Sequence, residues 1–197
     1  MKLKELASIR SGLVLARKQA KNGGHYQYPL ITLRAVRDDG TLAAPEEVYN
    51  TDKPLAQEYL SQTDDLIMRL TMPYTVVLIT AQQAGMVISS NFVVMRCWED
   101  RVMPAYLHWV LNTERIKRRF YKEAAGNVLS AVSTRILAET EIPVPPLDSQ
   151  RQAAAIYQLA RREADLLRRL ADEKLSYYDA LLARMYQKGD SIHDHQK

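Results

Sequence analysis

The chain has 197 residues, 47% of them hydrophobic and 25% charged, with a formal net charge of +4. That is enough apolar material for a packed core, which excludes a wholly disordered chain. The one cysteine, Cys97, excludes an internal disulfide framework and a cysteine metal cluster, and no run reaches the ~18 apolar residues of a membrane span.

The opening Met1-Lys2-Leu3-Lys4-Glu5 lacks the apolar run of a signal peptide, so a reducing cytoplasm is the expected compartment. Charge is unevenly distributed. Residues 1–37 hold eight Lys/Arg against Glu5, whereas residues 38–65 hold eight acids against Lys53. A basic N-terminal arm points to a polyanion surface, or else to acidic and basic segments that neighbour each other in space.

Residues 3–10 read as a short helix or the start of a strand, closed by a turn at Ser11-Gly12. Lys21 to His25 is a glycine loop, and Tyr28 to Leu33 is a short strand with Pro29 near its start. Asp38-Asp39-Gly40 is a turn, and residues 41–65 are a polar loop with one helical turn at most. The centre is β-rich: Leu66 to Leu70, Thr75 to Thr80, Met86 to Ile88 and Phe92 to Arg96 are short, closely spaced strands. Their spacing predicts hairpins or a small barrel-like sheet.

Pro104 opens a helix expected to run to about Lys122, with Leu107, Val110, Leu111 and Phe120 on its apolar face. Arg115, Lys117, Arg118, Arg119 and Lys122 crowd its second half, where cations suit the helix dipole. Gly126 ends the segment, and Ser133 or Thr134 caps a short helix.

Then comes Ile142-Pro143-Val144-Pro145-Pro146-Leu147, which cannot be helix interior. It divides a mixed globe, residues 1–147, from a helix expected over 148–188 with Asp148 as its N-cap. No proline or glycine interrupts Ser149 to Lys188. Ile156, Ala160, Leu167, Leu170, Tyr178, Leu182 and Met185 recur at helical spacing, with Arg161, Arg162, Arg168 and Arg169 opposite. At 1.5 Å per residue such a helix is ~60 Å long, too long for the globe to cover, so the stripe is a candidate dimer seam. The alternative is a helix folded back on its own domain. Gly189 is expected to end it, leaving 189–197 as a polar tail.

The ordered set of motifs resembles the specificity subunits of type I restriction–modification systems. Ile9-Arg10-Ser11-Gly12 is similar to the family's opening turn. Thr63 to Leu70 is similar to its "G-D-hydrophobic" strand, with Asp64 where glycine is more usual. Val87 to Arg96 resembles the strand pair around a Ser-Asn turn, and Tyr106 to Leu111 the "YL..L" helix. The proline segment, Gln150 and the long helix make the most specific match. The resemblance implies an α+β target-recognition domain that reads half of a bipartite double-stranded DNA site, followed by a spacer helix. It also implies an adenine methyltransferase subunit and a restriction/translocase subunit as partners. The family layout has two domain–helix units and this sequence has one. The expectation is therefore a half-subunit that homodimerises, or pairs with another half-subunit, through its helix.

No Gly-rich methyl-donor loop, base-methylation motif or P-loop is present, so no enzyme activity, cofactor or metal is expected of the chain itself. Candidate DNA contacts are Arg10, Arg17, Lys18 and Lys21 for phosphates, and Arg34, Arg69, Gln82, Gln83 and Asn127 for base edges. Two other readings stay open: a coiled-coil scaffold without DNA specificity, and a nuclease built on Asp64 and Asp65.

Overall fold

The computed structural model describes residues 1–193 except 22, 99 and 126–130, with side chains described to residue 186. The chain is α+β, and it divides into two units, Met1–Ala154 and Ala155–Lys197.

Unit 1 is built on two small sheets. The four-stranded sheet has the order β1-β7-β4-β5, with β1 at Ala7–Ser11, β4 at Leu66–Arg69, β5 at Val76–Leu78 and β7 at Phe92–Cys97. All its pairings are antiparallel. The three-stranded sheet has the order β3-β2-β6, with β2 at Tyr26–Ile31, β3 at Glu47–Thr51 and β6 at Val87–Ile88. Alternation along each strand sends side chains to opposite faces. One face of the larger sheet, with Leu66, Met68, Val76, Val93 and Met95, packs on the helices and forms the main core. The other face, with Ile67, Val77, Phe92 and Val94, meets Ile31 and Ile88 of the smaller sheet.

The β6 and β7 strands do not form the expected hairpin. Val87 and Ile88 pair in parallel with Leu30 and Ile31, while β7 sits between β1 and β4. The Ser89–Asn91 turn thus carries the chain from one sheet to the other. Gly12 lies against this turn: a Cβ there would stand 2.2 Å from the Ser89 carbonyl oxygen. That close approach, sealed by Leu13 N donating to Ile88 O at 2.7 Å, explains the glycine of the opening motif.

The segment 41–65 holds a strand that its polar composition hides. In β3, Tyr49 and Thr51 are buried while Val48 is exposed, so these two inward side chains secure a largely polar strand. The expected single helix after Pro104 is two, α1 at Pro104–Leu111 and α2 at Glu114–Ala124. The break is made by side chains. Asn112 donates to Val76 O at 2.9 Å and accepts from Val76 N at 3.1 Å, tying the end of α1 to β5. Thr113 donates to Val110 O at 2.6 Å. The expected cap at Ser133 is present, its hydroxyl accepting from Ile136 N, and α3 runs over Thr134–Ala138.

The proline segment is not a loose hinge. Ile142 is 1% exposed, and its N–H and carbonyl pair with Met1 O and the Met1 amine at 2.8 and 3.1 Å. Tyr106 donates its hydroxyl to Pro143 O at 2.9 Å. Nearby, Lys2 and Lys4 grip Glu139 at 2.6 and 2.5 Å.

The long helix, α4, spans Leu147–His193. It starts one residue before the expected boundary, so Asp148 lies in its first turn, and it continues through Gly189. Residues 194–197 of the expected tail lie outside the described residues. Gln150 is 1% exposed. Its amide nitrogen donates to Pro145 O at 2.8 Å and Arg101 O at 3.2 Å, and its oxygen accepts from Met103 N at 2.9 Å. One side chain thereby joins the strap, the loop before α1 and the first turn of α4. Ala154 is also buried, so the first two turns of α4 belong to unit 1.

Replacing Gln150 with Leu keeps the volume and leaves Met103 N–H, Arg101 C=O and Pro145 C=O without this partner. We expect a loss of about 2–3 kcal/mol in urea unfolding followed by tryptophan fluorescence. An unchanged midpoint would refute the clasp.

The two lysines hold the Glu139 carboxyl well below its ordinary value, at about 2. A depressed folded value means that this contribution is fully present above about pH 4.5 and is lost as pH falls towards 2. Glu139→Gln should therefore flatten the fall of the thermal midpoint across that window and leave its steepness at high salt unchanged.

Candidate nucleic-acid interface

Polar residues gather at one margin of the larger sheet, on the face turned toward the smaller one. Register sets them in rows. Ser8 of β1 lies opposite Arg96 of β7, and Arg10 opposite Val94. On the other flank of β7, Ile67 lies opposite Val94 and Arg69 opposite Phe92. Val94, Phe92 and Ile67 belong to the inter-sheet core, so alternation puts Arg10, Arg69 and Arg96 on that same side.

Arg96 is held by a carboxylate. Its Nε and Nη2 donate to Asp65 Oδ1 and Oδ2 at 2.7 and 2.9 Å. Gln62 N donates to Oδ2 as well, at 2.9 Å. Asp65 is fully buried, whereas the Arg96 side chain is 38% exposed. The hydrogen bond to Asp65 raises the Arg96 value further above its ordinary one, so the guanidinium is permanently charged. Asp64, just before, has φ +67°, in the left-handed region that glycine occupies without cost. That accounts for the glycine more usual at this position of the motif; aspartate is among the residues that tolerate it.

Arg10 has the opposite environment. Its Nη2 is buried without a hydrogen-bond partner. Desolvation first, and the neighbouring Arg96 charge second, lower its value from the ordinary one; Asp65, Glu58 and Tyr59 act the other way. Lys18 lies over the Tyr59 ring, 5.3 Å from its centre. Arg17 and Lys18 end the one-turn 3-10 helix Leu15–Arg17, beside a shallow hollow of about 280 Å³ that Lys53 also lines.

The structure thus brings Arg10 and Lys18 toward one margin, around Tyr59 and Glu58. Lys21 and Arg34 are exposed in loops. Arg69 ends β4, with its Nε buried and unpartnered. Gln82 is exposed, but the Gln83 side chain accepts from Thr80 N at 3.1 Å, closing the one-turn helix Ala81–Gln83. Asn127 lies outside the described residues. Arg96 was missed among the site candidates. Its signal was only the buried aspartate at the start of β4, which has no sequence signature apart from the motif itself.

The nuclease reading gains no geometry. Both oxygens of Asp65 are engaged by Arg96, and no group of three or more His, Cys, Asp or Glu side chains suited to a metal occurs among the described residues. The second candidate surface is the stripe on α4. Ile156, Leu167, Leu170, Tyr178, Leu182 and Met185 are all exposed, as are Leu159, Leu166, Leu175, Tyr177 and Leu181. No helix among the described residues is long and apolar enough to cross a membrane.

No protein-family model and no curated protein matches the chain by sequence. Solved structures do match it. An HsdS subunit from Thermoanaerobacter tengcongensis superposes with a TM-score of 0.68 and 20% identity, covering 88% of this chain and 44% of that one. A chain from a structure describing complex assembly and conformational transition of the type I restriction–modification system gives 0.67 and 20%, with the same coverage. The type I restriction–modification S subunit from M. genitalium gives 0.53 and 11%, covering 84% of this chain and 39% of that one. The chain therefore has the fold of these specificity subunits and spans less than half of their length.

Proposed function

We propose that this chain is a sequence-specific DNA-binding specificity subunit of a type I, or type I-like, restriction–modification system. The fold likeness carries the reading: the match takes in 88% of this chain, across both the globe and part of the helix. The arginine-lined margin supports it, because the half-buried guanidiniums of Arg10 and Arg69 each keep a nitrogen without a protein partner, which suits a polyanion. In this reading the globe reads one half of a bipartite site in double-stranded DNA. The chain is not itself catalytic. It directs an adenine methyltransferase subunit, which flips its target base, and a restriction/translocase subunit.

The α4 stripe is the assembly surface. Its 47 residues span about 70 Å at the α-helical rise. The apolar positions from Ile156 to Tyr186 wrap roughly half of the helix circumference, wider than the ~100° one packed face uses. A second copy packed along part of the stripe leaves room for helices of another subunit. With two-fold symmetry the dimer reads a palindromic split site, and pairing with a different half-subunit reads an asymmetric one.

The decisive experiment is adenine-methylation sequencing of cells carrying the chain with its methyltransferase partner, against cells lacking it. A bipartite methylated motif that vanishes with the chain is expected. If no such motif depends on it, the reading fails. In light scattering, the purified chain should be a dimer or join the methyltransferase, and Leu167→Asp should abolish that assembly, since a buried carboxylate on the seam has no partner. A wild-type chain that stays monomeric with and without the methyltransferase would remove the assembly role from α4.

A further inference from the structure

Arg10 carries a charge that no hydrogen bond or ion pair neutralises among the described residues. It lies opposite Val94 in the β1–β7 ladder, two residues along from the Ser8–Arg96 pair and on the same face. Asp65, the carboxylate that acts most strongly on it, is committed. Oδ1 takes Arg96 Nε, and Oδ2 takes both Arg96 Nη2 and Gln62 N. Arg10 Nη2 is left buried and without a partner. Two guanidinium groups thus share a single buried carboxylate, and the second makes no bond to it. A buried, unpaired donor beside a like charge is costly, and the cost is removed when an anionic oxygen enters between the two.

We propose that Arg10 and Arg96 form a two-arginine seat for one phosphate of the DNA backbone, with Asp65 as the positioning residue that fixes Arg96. Asp65 takes the Nε–Nη2 edge of Arg96, so Nη1 has no partner among the described residues and is free to donate to the same phosphate. Lys18, held over the Tyr59 ring at 5.3 Å, adds a third cation to the approach. Such a seat sets the register of the globe on the duplex and carries no base preference of its own. This assignment rests on the DNA-binding reading, and it names which atoms of the margin meet the backbone.

The test uses the full chain and two probes. With a duplex carrying the methylated motif and a scrambled duplex, Arg10→Gln should weaken both by a similar factor, roughly tenfold. It should also make the log-affinity against log-salt slope shallower by about one unit, the loss of one phosphate contact. Arg10→Lys should recover part of the affinity. Because the Arg10 side chain makes no hydrogen bond among the described residues, Arg10→Gln should fold as well as wild type. Arg96→Gln strands the buried Asp65, so it is read beside Asp65→Asn/Arg96→Gln, where the carboxylate is gone. A loss confined to one base pair of the motif, or an unchanged slope in Arg10→Gln, would overturn the phosphate assignment. The second probe is inorganic phosphate, titrated while the arginine Nε–Hε resonances are followed by NMR. Joint movement of the Arg10 and Arg96 signals supports the seat even if the chain binds no duplex, in which case the DNA-binding reading fails and the seat survives. Signals that stay fixed up to the phosphate concentrations at which a lysine-rich control peptide responds would sink the seat itself.

Discussion

The protein depends on one buried amide. Gln150 is the point where a chain segment that cannot be helical becomes one that cannot be anything else. Three prolines take three N–H donors out of the proline segment, and its carbonyls need partners. Gln150 supplies one to Pro145 O, a second to Arg101 O, and an acceptor to Met103 N. Glutamine is suited to the position because it offers donor and acceptor together. A glutamate lacks the donors, and a leucine lacks both. The fixed start of α4 follows from this clasp, reinforced by Ala154 and by the ladder of Met1 with Ile142. An apparent hinge is thus a strap sewn into the globe.

The same logic of commitment organises the sheet margin. A buried Asp65 is tolerated because Arg96 and Gln62 satisfy it. Having been satisfied, it has nothing left for Arg10. The inner rows of the face, Val94 with Ile67 and Phe92, are apolar and belong to the core between sheets. Charge appears with Arg10 on the edge strand β1, with Arg69 at the end of β4 and with Arg96 near the end of β7. The apolar core and the proposed phosphate seat therefore occupy adjacent positions of one ladder, separated by a step of two residues.

What the sequence disclosed follows the range of the forces involved. The strands at Leu66, Val76 and Phe92, the cap at Ser133 and the body of the long helix are local patterns of apolar period and terminal chemistry, and they are where those patterns put them; the helix differs only at its ends. The strand Glu47–Thr51 was hidden because its place in the sheet is secured by Tyr49 and by pairing with β2, not by its own composition. The parallel pairing of Val87 with Leu30 was hidden for a stronger reason: a turn between two short strands looks the same whether they join each other or leave for different sheets. The break between α1 and α2 turns on Asn112 reaching Val76, a tertiary contact no helix periodicity contains. In the site, the basic residues of the first 21 positions were visible as charge, but Arg96 was not, because its significance lies in a carboxylate 31 residues away.

The α4 helix separates two things that usually travel together. Its local structure needs no partner: Ala, Leu and Arg dominate, and Asp165 bridges Arg169 and Arg162 along the helix. Its surface does need one. Leu159, Leu166, Leu167, Leu170, Leu175, Leu181 and Leu182 are each 41–70% exposed. Covering half of such a side chain is worth about 1 kcal/mol. Taken over two copies, that amounts to roughly 14 kcal/mol, against an association cost of about 4–15 kcal/mol. The balance runs from about 10 kcal/mol in favour to near zero. A stripe in that range suits a helix that can exchange one partner for another, and it suits less well an obligate dimer whose seam is never opened. The breadth of the stripe points the same way, since faces left uncovered by one partner remain available to the next. In the proposed reading, assembly is set by which helices share this one surface.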